Sequence, residues 1–234
     1  MADLRCRPYL DIINISMDIY HVLNRGVDKR IIFLDSQDHA RFVHNMFEFN
    51  SNTPANHTYR NKMADIVSRP YKTEKIVDIH GWCLMKNHYH LLLSERIDGG
   101  MSLFLRKLNV GYAKYFNERY KRSGTLFQGR TKKILIDSEA YFLHILNYIH
   151  FNPLDTHISS ADWRTRNIAD VHEALEVLKK YRWSSYLDYV GEKNFPSVLT
   201  TSLFQEVFNN NYKKQAENYL RDIDTSTIQK LLLE

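Results

Sequence analysis

The chain has 234 residues, which predicts one domain with additions or one and a half domains, and its 44% hydrophobic and 25% charged residues are ordinary for a globular protein. No stretch approaches the roughly 20 consecutive apolar residues of a membrane span, and the first residues show no signal peptide, so we expect a cytoplasmic protein without membrane contact. The two cysteines, Cys6 and Cys83, are far apart in the sequence and support neither a disulfide framework nor a cysteine metal site.

The net charge of +5 is concentrated in one segment. Between Ser102 and Lys133 the acid Glu118 stands alone among cations. These cations are Arg106, Lys107, Lys114, Arg119, Lys121, Arg122, Arg130, Lys132 and Lys133. The aromatic residues interleaved with them are Tyr112, Tyr115, Phe116 and Tyr120. Cations that pair with phosphates beside rings that stack on bases suit a single-stranded nucleic acid, whereas the alternative is a solvated helix face backed by core aromatics.

The first predicted elements are a strand and a helix. The pattern of 17–24 predicts a strand that runs into a turn at Arg25. Asp35 or Ser36 then caps a helix, because apolar residues recur at helical spacing as far as Phe47.

The middle of the chain predicts a hairpin followed by a long helix. The polar stretch 51–75, which contains prolines, is expected to be an insertion loop. The apolar runs 76–84 and 88–94 have so short a connection that they form an antiparallel hairpin. Ser102 is expected to cap a helix that continues to Arg122, where Ser-Gly ends it.

The remaining elements are one strand and several helices. A short strand is predicted over 131–136, and a helix over 139–151 is capped by the preceding serine and stopped by the following Asn-Pro. Further helices are expected near 170–181 and from Ser202 onward. The order predicts an α+β fold with an antiparallel sheet of four to five strands, helices packed on one side of it as in a ferredoxin-like sandwich, and a helical C-terminal tail.

A histidine pair stands out in the second strand of the hairpin, within KNHYHLLL. His88 and His90 are two apart, so both side chains project from one face, roughly 6 to 7 Å apart at the backbone. Tyr89 takes the other face, which we expect to be the core, and the histidines would then lie on the open side of the sheet. There, two imidazoles can share one metal ion. The alternative is two partly exposed histidines without a metal, because His-x-His is common by chance.

The helix over 139–151 offers further chemistry in LNYIHFNP. Tyr148 and Asn152 are four residues apart and therefore share a helix face. An amide oxygen from Asn152 would complete a set of two nitrogens and one oxygen, which suits Mn²⁺ or Mg²⁺ better than structural zinc. Alternatively, Tyr148 is one core residue among 15 tyrosines, and Asn152 only ends the helix before a proline.

Several motifs occur together between about Tyr20 and Tyr189: MKNHYHLLL, a long basic helix, GTLFQGR, YIHFNP and WSSY. In this order they resemble the single-tyrosine HUH transposases, in particular the REP-associated tyrosine transposase branch. The resemblance implies that His88 and His90 bind a divalent metal, Mg²⁺ or Mn²⁺, with Asn152 as a third ligand. It further implies that Tyr148 is the nucleophile that attacks the DNA backbone.

The activity implied is that of a metal-dependent DNA nickase and strand transferase. It would cut and rejoin single-stranded or hairpin DNA through a 5′-phosphotyrosine link. Tyrosine has a reference pKa of ~10 and is a poor nucleophile near pH 7, so a metal on the scissile phosphate must assist it. The covalent link keeps the bond energy of the cut strand, so that a 3′-hydroxyl can displace the tyrosine without ATP. Relatives act as monomers or as homodimers that exchange the tyrosine helix.

The resemblance and the basic segment together predict the residues that contact DNA. The turn Gln128, Gly129 and Arg130 matches the family pattern after the basic helix, and we expect a phosphate or base contact from Arg130. The full set of expected DNA contacts is Arg25, Arg106, Lys107, Lys114, Arg119, Arg122, Gln128, Arg130 and Lys132.

The domain organisation expected from the resemblance is an HUH transposase catalytic domain at 1–155, which contains the insertion loop 51–75, and a C-terminal extension at 156–234 that packs on it. Lys86 departs from the proline common in relatives, and the insertion and the segment 156–180 are longer than expected. Two other functions stay open: a domesticated, non-catalytic DNA-binding regulator with the same fold, and a metal-dependent RNA nuclease.

Overall fold

The computed structural model describes residues 17–52, 74–157, 163–164, 168 and 170–222. Four strands form one antiparallel sheet, which confirms the predicted α+β class. The strands are β1 (Ile19–Arg25), β2 (Val77–Met85), β3 (His88–Glu95) and β4 (Lys132–Leu135), and their order in the sheet is β2-β3-β1-β4. Most of the predicted insertion loop, 53–73, lies outside the described residues.

Helices account for most of the remaining described chain. They are α1 (Ser36–Glu48), α2 (Gly100–Arg119), α3 (Glu139–Phe151), α4 (Val171–Lys180), α5 (Tyr186–Tyr189), α6 (Ser202–Val207) and α7 (Tyr212–Asp222). Short 3₁₀ turns cover Val27–Lys29, Asn152–Thr156 and Pro196–Val198. None of the helices in the described part of the chain combines the length and the apolarity that crossing a membrane requires.

Helix starts follow the predicted caps in two cases and depart from the prediction in a third. Asp35 accepts hydrogen bonds from the first turn of α1, and Ser138 accepts one from the first turn of α3. Ser102 is not the cap of α2. That helix begins at Gly100 with Gly99 as its N-cap residue, and the Glu95 carboxylate accepts a hydrogen bond from the backbone N–H of Met101 at 2.9 Å.

Two hydrophobic cores lie on opposite faces of the sheet. The first contains Tyr89, Leu91 and Leu93 of β3, covered by α1 and α2. The second contains Leu92, covered by α3 and by the helices that follow it. The expectation that the histidine face is open, with helices on one side only, is therefore wrong. The physical reason is that α3 carries enough apolar side chains to dock on that second face, and His90 is fully buried beneath it.

The segment after α4 covers the edge strand β2. Backbone hydrogen bonds run from Leu84 N–H to Trp183 O, from Ser185 N–H to Trp82 O and from Thr200 N–H to Ile79 O. The phenols of Tyr181 and Tyr189 also donate to carbonyl groups of β2. These contacts satisfy backbone groups that an open sheet edge would leave exposed.

A buried polar link fixes α3 against β2. His150 of α3 contacts the hydroxyl of Ser185 at 2.7 Å and that of Tyr212 at 2.8 Å, and Ser185 in turn accepts a hydrogen bond from Trp82 N–H. Burial lowers the pKa of His150 to about 3, so this imidazole is neutral at physiological pH. The YIHFNP and WSSY motifs thus meet in a structural contact that sets the position of α3.

Candidate active site

The pairing of β1 and β3 brings three histidines to one face of the sheet. His88 is opposite Arg25, His90 is opposite Leu23, and His21 is the next residue of β1 on the same face. The rings of His88 and His90 have centroids 4.9 Å apart and planes inclined at 84°. The strand spacing thus gives the shared face that the sequence predicts.

Each of the two predicted metal ligands is held through its Nδ1 atom. His88 Nδ1 lies 2.7 Å from Asn87 Oδ1, and Asn87 Nδ2 donates to Lys29 O. An amide oxygen only accepts hydrogen bonds, so the proton of neutral His88 is on Nδ1 and its Nε2 carries the lone pair. His90 Nδ1 lies 2.9 Å from His21 Nε2. This arrangement is typical of metal-binding histidines, which are oriented through the nitrogen that does not bind the metal.

Tyr148 projects from α3 toward these imidazoles. The centroid of its ring lies 5.7 Å from that of His90 and 5.8 Å from that of His21, in edge-to-face orientation. Only 2% of Tyr148 is exposed, because Trp163 and Arg164 cover the ring on another side. A strand and a helix that are distant in sequence therefore place the phenol beside the histidine pair.

Asn152 is fully buried one turn after Tyr148, in the 3₁₀ turn that continues α3. Its Nδ2 donates to Tyr148 O at 2.8 Å, which directs Oδ1 away from the helix. That oxygen accepts a hydrogen bond from Arg164 at 3.1 Å, and Arg164 is also paired with Asp155. The amide oxygen predicted to bind a metal is thus in contact with a guanidinium group in this arrangement.

Three further residues contribute to the site and were not predicted from the sequence. His21 connects His90 to Tyr141, with 3.0 Å between His21 Nδ1 and the Tyr141 hydroxyl oxygen, and burial raises the pKa of Tyr141. Arg164 lies 5.4 Å from the centre of the Tyr148 ring. The alternation of β1 could have placed His21 on one face, but only the register between β1 and β3 shows that it faces His90.

The basic helix α2 does not share the face of the histidines. Its apolar residues belong to the first core, so the sheet separates α2 from His88 and His90. The aromatic residues Tyr112, Tyr115 and Phe116 are buried in that core, and the Tyr112 hydroxyl donates to Ile32 O. The interpretation of these rings as a base-stacking surface is wrong, because their helix face is the one that packs on the sheet.

Several of the predicted DNA contacts have partners within the protein. Arg119 forms ion pairs with Asp35 and Asp38, each at 2.6 Å, and the Asp35 carboxylate has a lowered pKa because Arg119 donates to it. Arg122 donates to the Asn117 side chain and to a backbone carbonyl. Lys107 donates to a backbone carbonyl of the loop after α1. Arg119 in particular joins α2 to α1, so its charge is neutralised internally.

Other predicted contacts lie at the end of the sheet that carries His88. Gln128 N–H donates to Arg25 O, and Arg25 Nε donates to Gln128 Oε1 at 2.9 Å, so the GTLFQGR turn runs beside the end of β1. Lys132 is paired with Leu23 in the sheet and therefore shares the histidine face. Arg130 and Lys132 are exposed, as are Arg106 and Lys114 of α2.

The donor set fits a divalent cation only in part. Within the described residues, no cluster of three or more His, Cys, Asp or Glu side chains could hold a metal. What this structure offers is two imidazoles, oriented through Nδ1, and the amide oxygen of Asn152. Two nitrogens and one oxygen suit Mn²⁺ or Mg²⁺, provided that Arg164 no longer donates its hydrogen bond to the Asn152 oxygen.

Comparisons with known proteins identify the family of this region. The family described as "Transposase IS200 like" matches residues 37–152, a range that contains His88, His90, Tyr148 and Asn152. No curated protein matches the chain. A solved structure titled "Structure of the REP associates tyrosine transposase bound to a REP hairpin" is similar with a TM-score of 0.45 and 12% identity, over 79% of this chain and 86% of that one. The chain belongs to the IS200-like transposase family.

Proposed function

We propose that the protein is an endonuclease and strand transferase that acts on single-stranded or hairpin DNA, with Tyr148 as its nucleophile. The observation that carries the proposal is the placement of Tyr148 beside His90, with ring centroids 5.7 Å apart, in a chain of the transposase family. The two groups come from one chain, which supports catalysis within a monomer rather than exchange of α3 in a homodimer.

In the cutting step, the Tyr148 oxygen attacks the scissile phosphorus and loses its proton. The bond from phosphorus to the 3′-oxygen breaks, and that oxygen takes up a proton to become a 3′-hydroxyl. The 5′-phosphate is then a phosphodiester of Tyr148, which conserves the energy of the broken bond. In the joining step a 3′-hydroxyl attacks this phosphodiester and releases the phenol.

We further propose that His88 and His90 hold Mg²⁺ or Mn²⁺ with the oxygen of Asn152. A cation there supplies Lewis-acid polarisation of the scissile phosphate. The contribution of the protein is orientation: both imidazoles are fixed through Nδ1, and the Nδ2 contact to Tyr148 O fixes the Asn152 amide.

Access of DNA to Tyr148 requires the covering side chains to shift. Tyr148 is 2% exposed, and Arg164 is the charged group above its ring. Once Arg164 has left Asn152, its planar guanidinium is suited to a phosphate oxygen pair. We propose Arg25, Gln128, Arg130 and Lys132 as the DNA contacts nearest the histidines, and we propose that 1–155 is the catalytic unit while 156–234 supports α3.

The second candidate, a non-catalytic DNA-binding regulator, is favoured by two observations. In this arrangement the Asn152 oxygen is held by Arg164, and the nucleophile is buried. The two functions differ in whether a covalent adduct forms, and an RNA nuclease differs in its substrate.

A cleavage assay with hairpin DNA oligonucleotides and Mn²⁺ tests the proposal, with a matched RNA in parallel. On a denaturing gel, we expect the wild-type protein to form an adduct with DNA and not with RNA. Tyr148→Phe should abolish the adduct while DNA binding persists, because the phenol oxygen is needed for attack and little for packing. An adduct of undiminished yield in Tyr148→Phe would contradict the assignment, and the absence of any wild-type adduct with binding intact would favour the regulator.

A further inference from the structure

A hydrogen-bonded chain connects the first turn of α3 to the histidine pair. The Tyr141 hydroxyl lies 3.0 Å from His21 Nδ1, and His21 Nε2 lies 2.9 Å from His90 Nδ1. The rings of His21 and His90 are nearly parallel, with planes inclined at 20°. All three residues are buried, and they lie on three separate elements: α3, β1 and β3.

The direction in which these hydrogen bonds are donated decides whether His90 can bind a cation. A ligating nitrogen must carry a lone pair, so ligation through Nε2 requires the proton of neutral His90 to be on Nδ1. His90 Nδ1–H then donates to His21 Nε2, and His21 Nδ1–H donates to the Tyr141 oxygen. In the opposite direction, Tyr141 donates to His21, His21 donates to His90, and the proton of His90 is on Nε2.

His21 is not itself a good ligand in this arrangement. Both of its ring nitrogens lie within hydrogen-bonding distance of protein groups, Nε2 of His90 and Nδ1 of Tyr141. His88 donates an equivalent hydrogen bond to a different group, because its Nδ1 contacts the Asn87 amide oxygen. Each histidine of the pair therefore has one neighbour that can hold it with Nε2 deprotonated.

We propose that His21 is a positioning residue that holds His90 in the tautomer and orientation in which Nε2 binds the cation, and that Tyr141 orients His21. This inference rests on the proposed function, because it assumes a cation at His88 and His90. Outer partners of this kind typically change metal affinity by about 10-fold to 100-fold when they are removed.

The test is the affinity for Mn²⁺, measured by electron paramagnetic resonance of the free ion, without DNA. His21→Leu removes the acceptor and is expected to weaken binding by about 10-fold to 100-fold. His21→Gln places an amide oxygen near the position of Nε2 and is expected to restore most of the affinity. Rescue by glutamine separates positioning from packing, because a purely structural role would not distinguish an acceptor from an apolar group in this way.

Matched controls are available outside the hydrogen-bonded chain of Tyr141, His21 and His90. His80→Gln changes another buried histidine, which contacts Ser94 and Thr200 near the far end of the sheet, and should leave Mn²⁺ affinity unchanged. Tyr141→Phe should weaken affinity less than His21→Leu, whereas Tyr181→Phe, which also loses one phenol hydrogen bond, should not change it.

The outcomes separate this inference from the proposed function. If the wild-type protein does not bind Mn²⁺, the proposed metal site is wrong. If it binds Mn²⁺ and folded His21→Leu binds equally well, the inference alone is overturned.

A second measurement decides the matter if His21→Leu does not fold. Nitrogen-15 spectra of the histidines in Mg²⁺-saturated wild-type protein are expected to show the proton of His90 on Nδ1. A proton on Nε2 of His90 with Mg²⁺ bound would overturn the proposal.

Discussion

The two faces of the sheet differ in the side chains that the same strand, β3, contributes to each of them. On the α2 face, β3 contributes Tyr89, whose hydroxyl donates to Asn109, and Asn109 in turn donates to the Thr131 hydroxyl, so these polar groups satisfy one another at the border of an apolar core. On the α3 face, β3 contributes His88 and His90, and His90 contacts two further titratable side chains, His21 and Tyr148. Alternation along one strand thus separates a structural face from the face that carries the proposed site.

This difference between the two faces also decides which of the positively charged residues lie near the candidate site. The densest run of cations lies on α2, behind the structural face, and one of its members, Arg119, pairs with Asp35 and the fully buried Asp38. The cations near the histidines are fewer and come from the end of β1, the turn before β4 and β4 itself. Position relative to the sheet, rather than local charge density, therefore identifies the cations that can serve the site.

The largest expected effect on DNA cleavage comes from removing a tyrosine hydroxyl, and the two faces should respond differently to that change. Tyr148→Phe is expected to abolish the DNA adduct with little loss of stability. Tyr112→Phe leaves Ile32 O without its donor and should lower the free energy of unfolding by about 1 to 3 kcal/mol, yet adduct formation by the folded protein should persist. Denaturant unfolding and the adduct gel measure the two effects. Loss of chemistry in both variants would remove the functional distinction between the faces.

Metal removal should act on the histidine face alone. EDTA or His88→Ala is expected to stop cleavage, because either change empties the proposed site, while the denaturant midpoint shifts little because His88 is only half-buried. His39→Ala is a suitable comparison, since His39 lies in α1 beside the structural face and should retain cleavage when folded. Undiminished cleavage in EDTA would contradict a role for the metal.

Removing a cation near the histidines should weaken DNA binding, whereas removing the internally paired Arg119 should lower stability. Arg130→Ala and Lys132→Ala should weaken DNA binding and each reduce the salt dependence of log Kd by about one. Arg119→Ala should instead lower the free energy of unfolding by about 1 to 3 kcal/mol, because it takes one donor from the buried Asp38 while Leu34, Tyr115 and Tyr120 still donate to it. A full loss of salt dependence in Arg119→Ala with stability unchanged would reverse the assignment.

The smallest expected effect concerns Arg164. Because Arg164 donates to the Asn152 oxygen, Arg164→Ala should free this oxygen and strengthen Mn²⁺ binding by a few-fold. Arg221→Ala, which removes an arginine paired with Glu217 on the surface of α7, should not change it. Weaker Mn²⁺ binding in Arg164→Ala would show that the guanidinium supports the site rather than competes with the cation.

Local features of the fold could be predicted from the sequence with good accuracy. The bounds of α3 and the caps at Asp35 and Ser138 follow from residues that are neighbours in the chain. The start of α2 could not be predicted, because its N-cap is Gly99 and the acceptor for the Met101 N–H is the carboxylate of Glu95, which precedes the helix by several residues. The second core was missed for a related reason: whether a helix covers a sheet face depends on how the chain returns to it.

The candidate site shows the same limit. Strand parity placed His88 and His90 together, and helical spacing placed Tyr148 and Asn152 together, since both rules act within one element. His21 reaches His90 only through the register of β1 against β3, and Arg164 donates to Asn152 although the two residues are far apart in the sequence. The residues for which we propose a chemical role could thus be identified from the sequence, whereas those that orient or cover them required the structure.

The most direct test of the account is to identify the tyrosine in the covalent DNA adduct by mass spectrometry of the digested complex. The account predicts that the nucleotide is attached through a 5′-phosphate to the peptide that contains Tyr148. Attachment to any other of the 15 tyrosines would contradict the proposal that α3 and β3 together form the site.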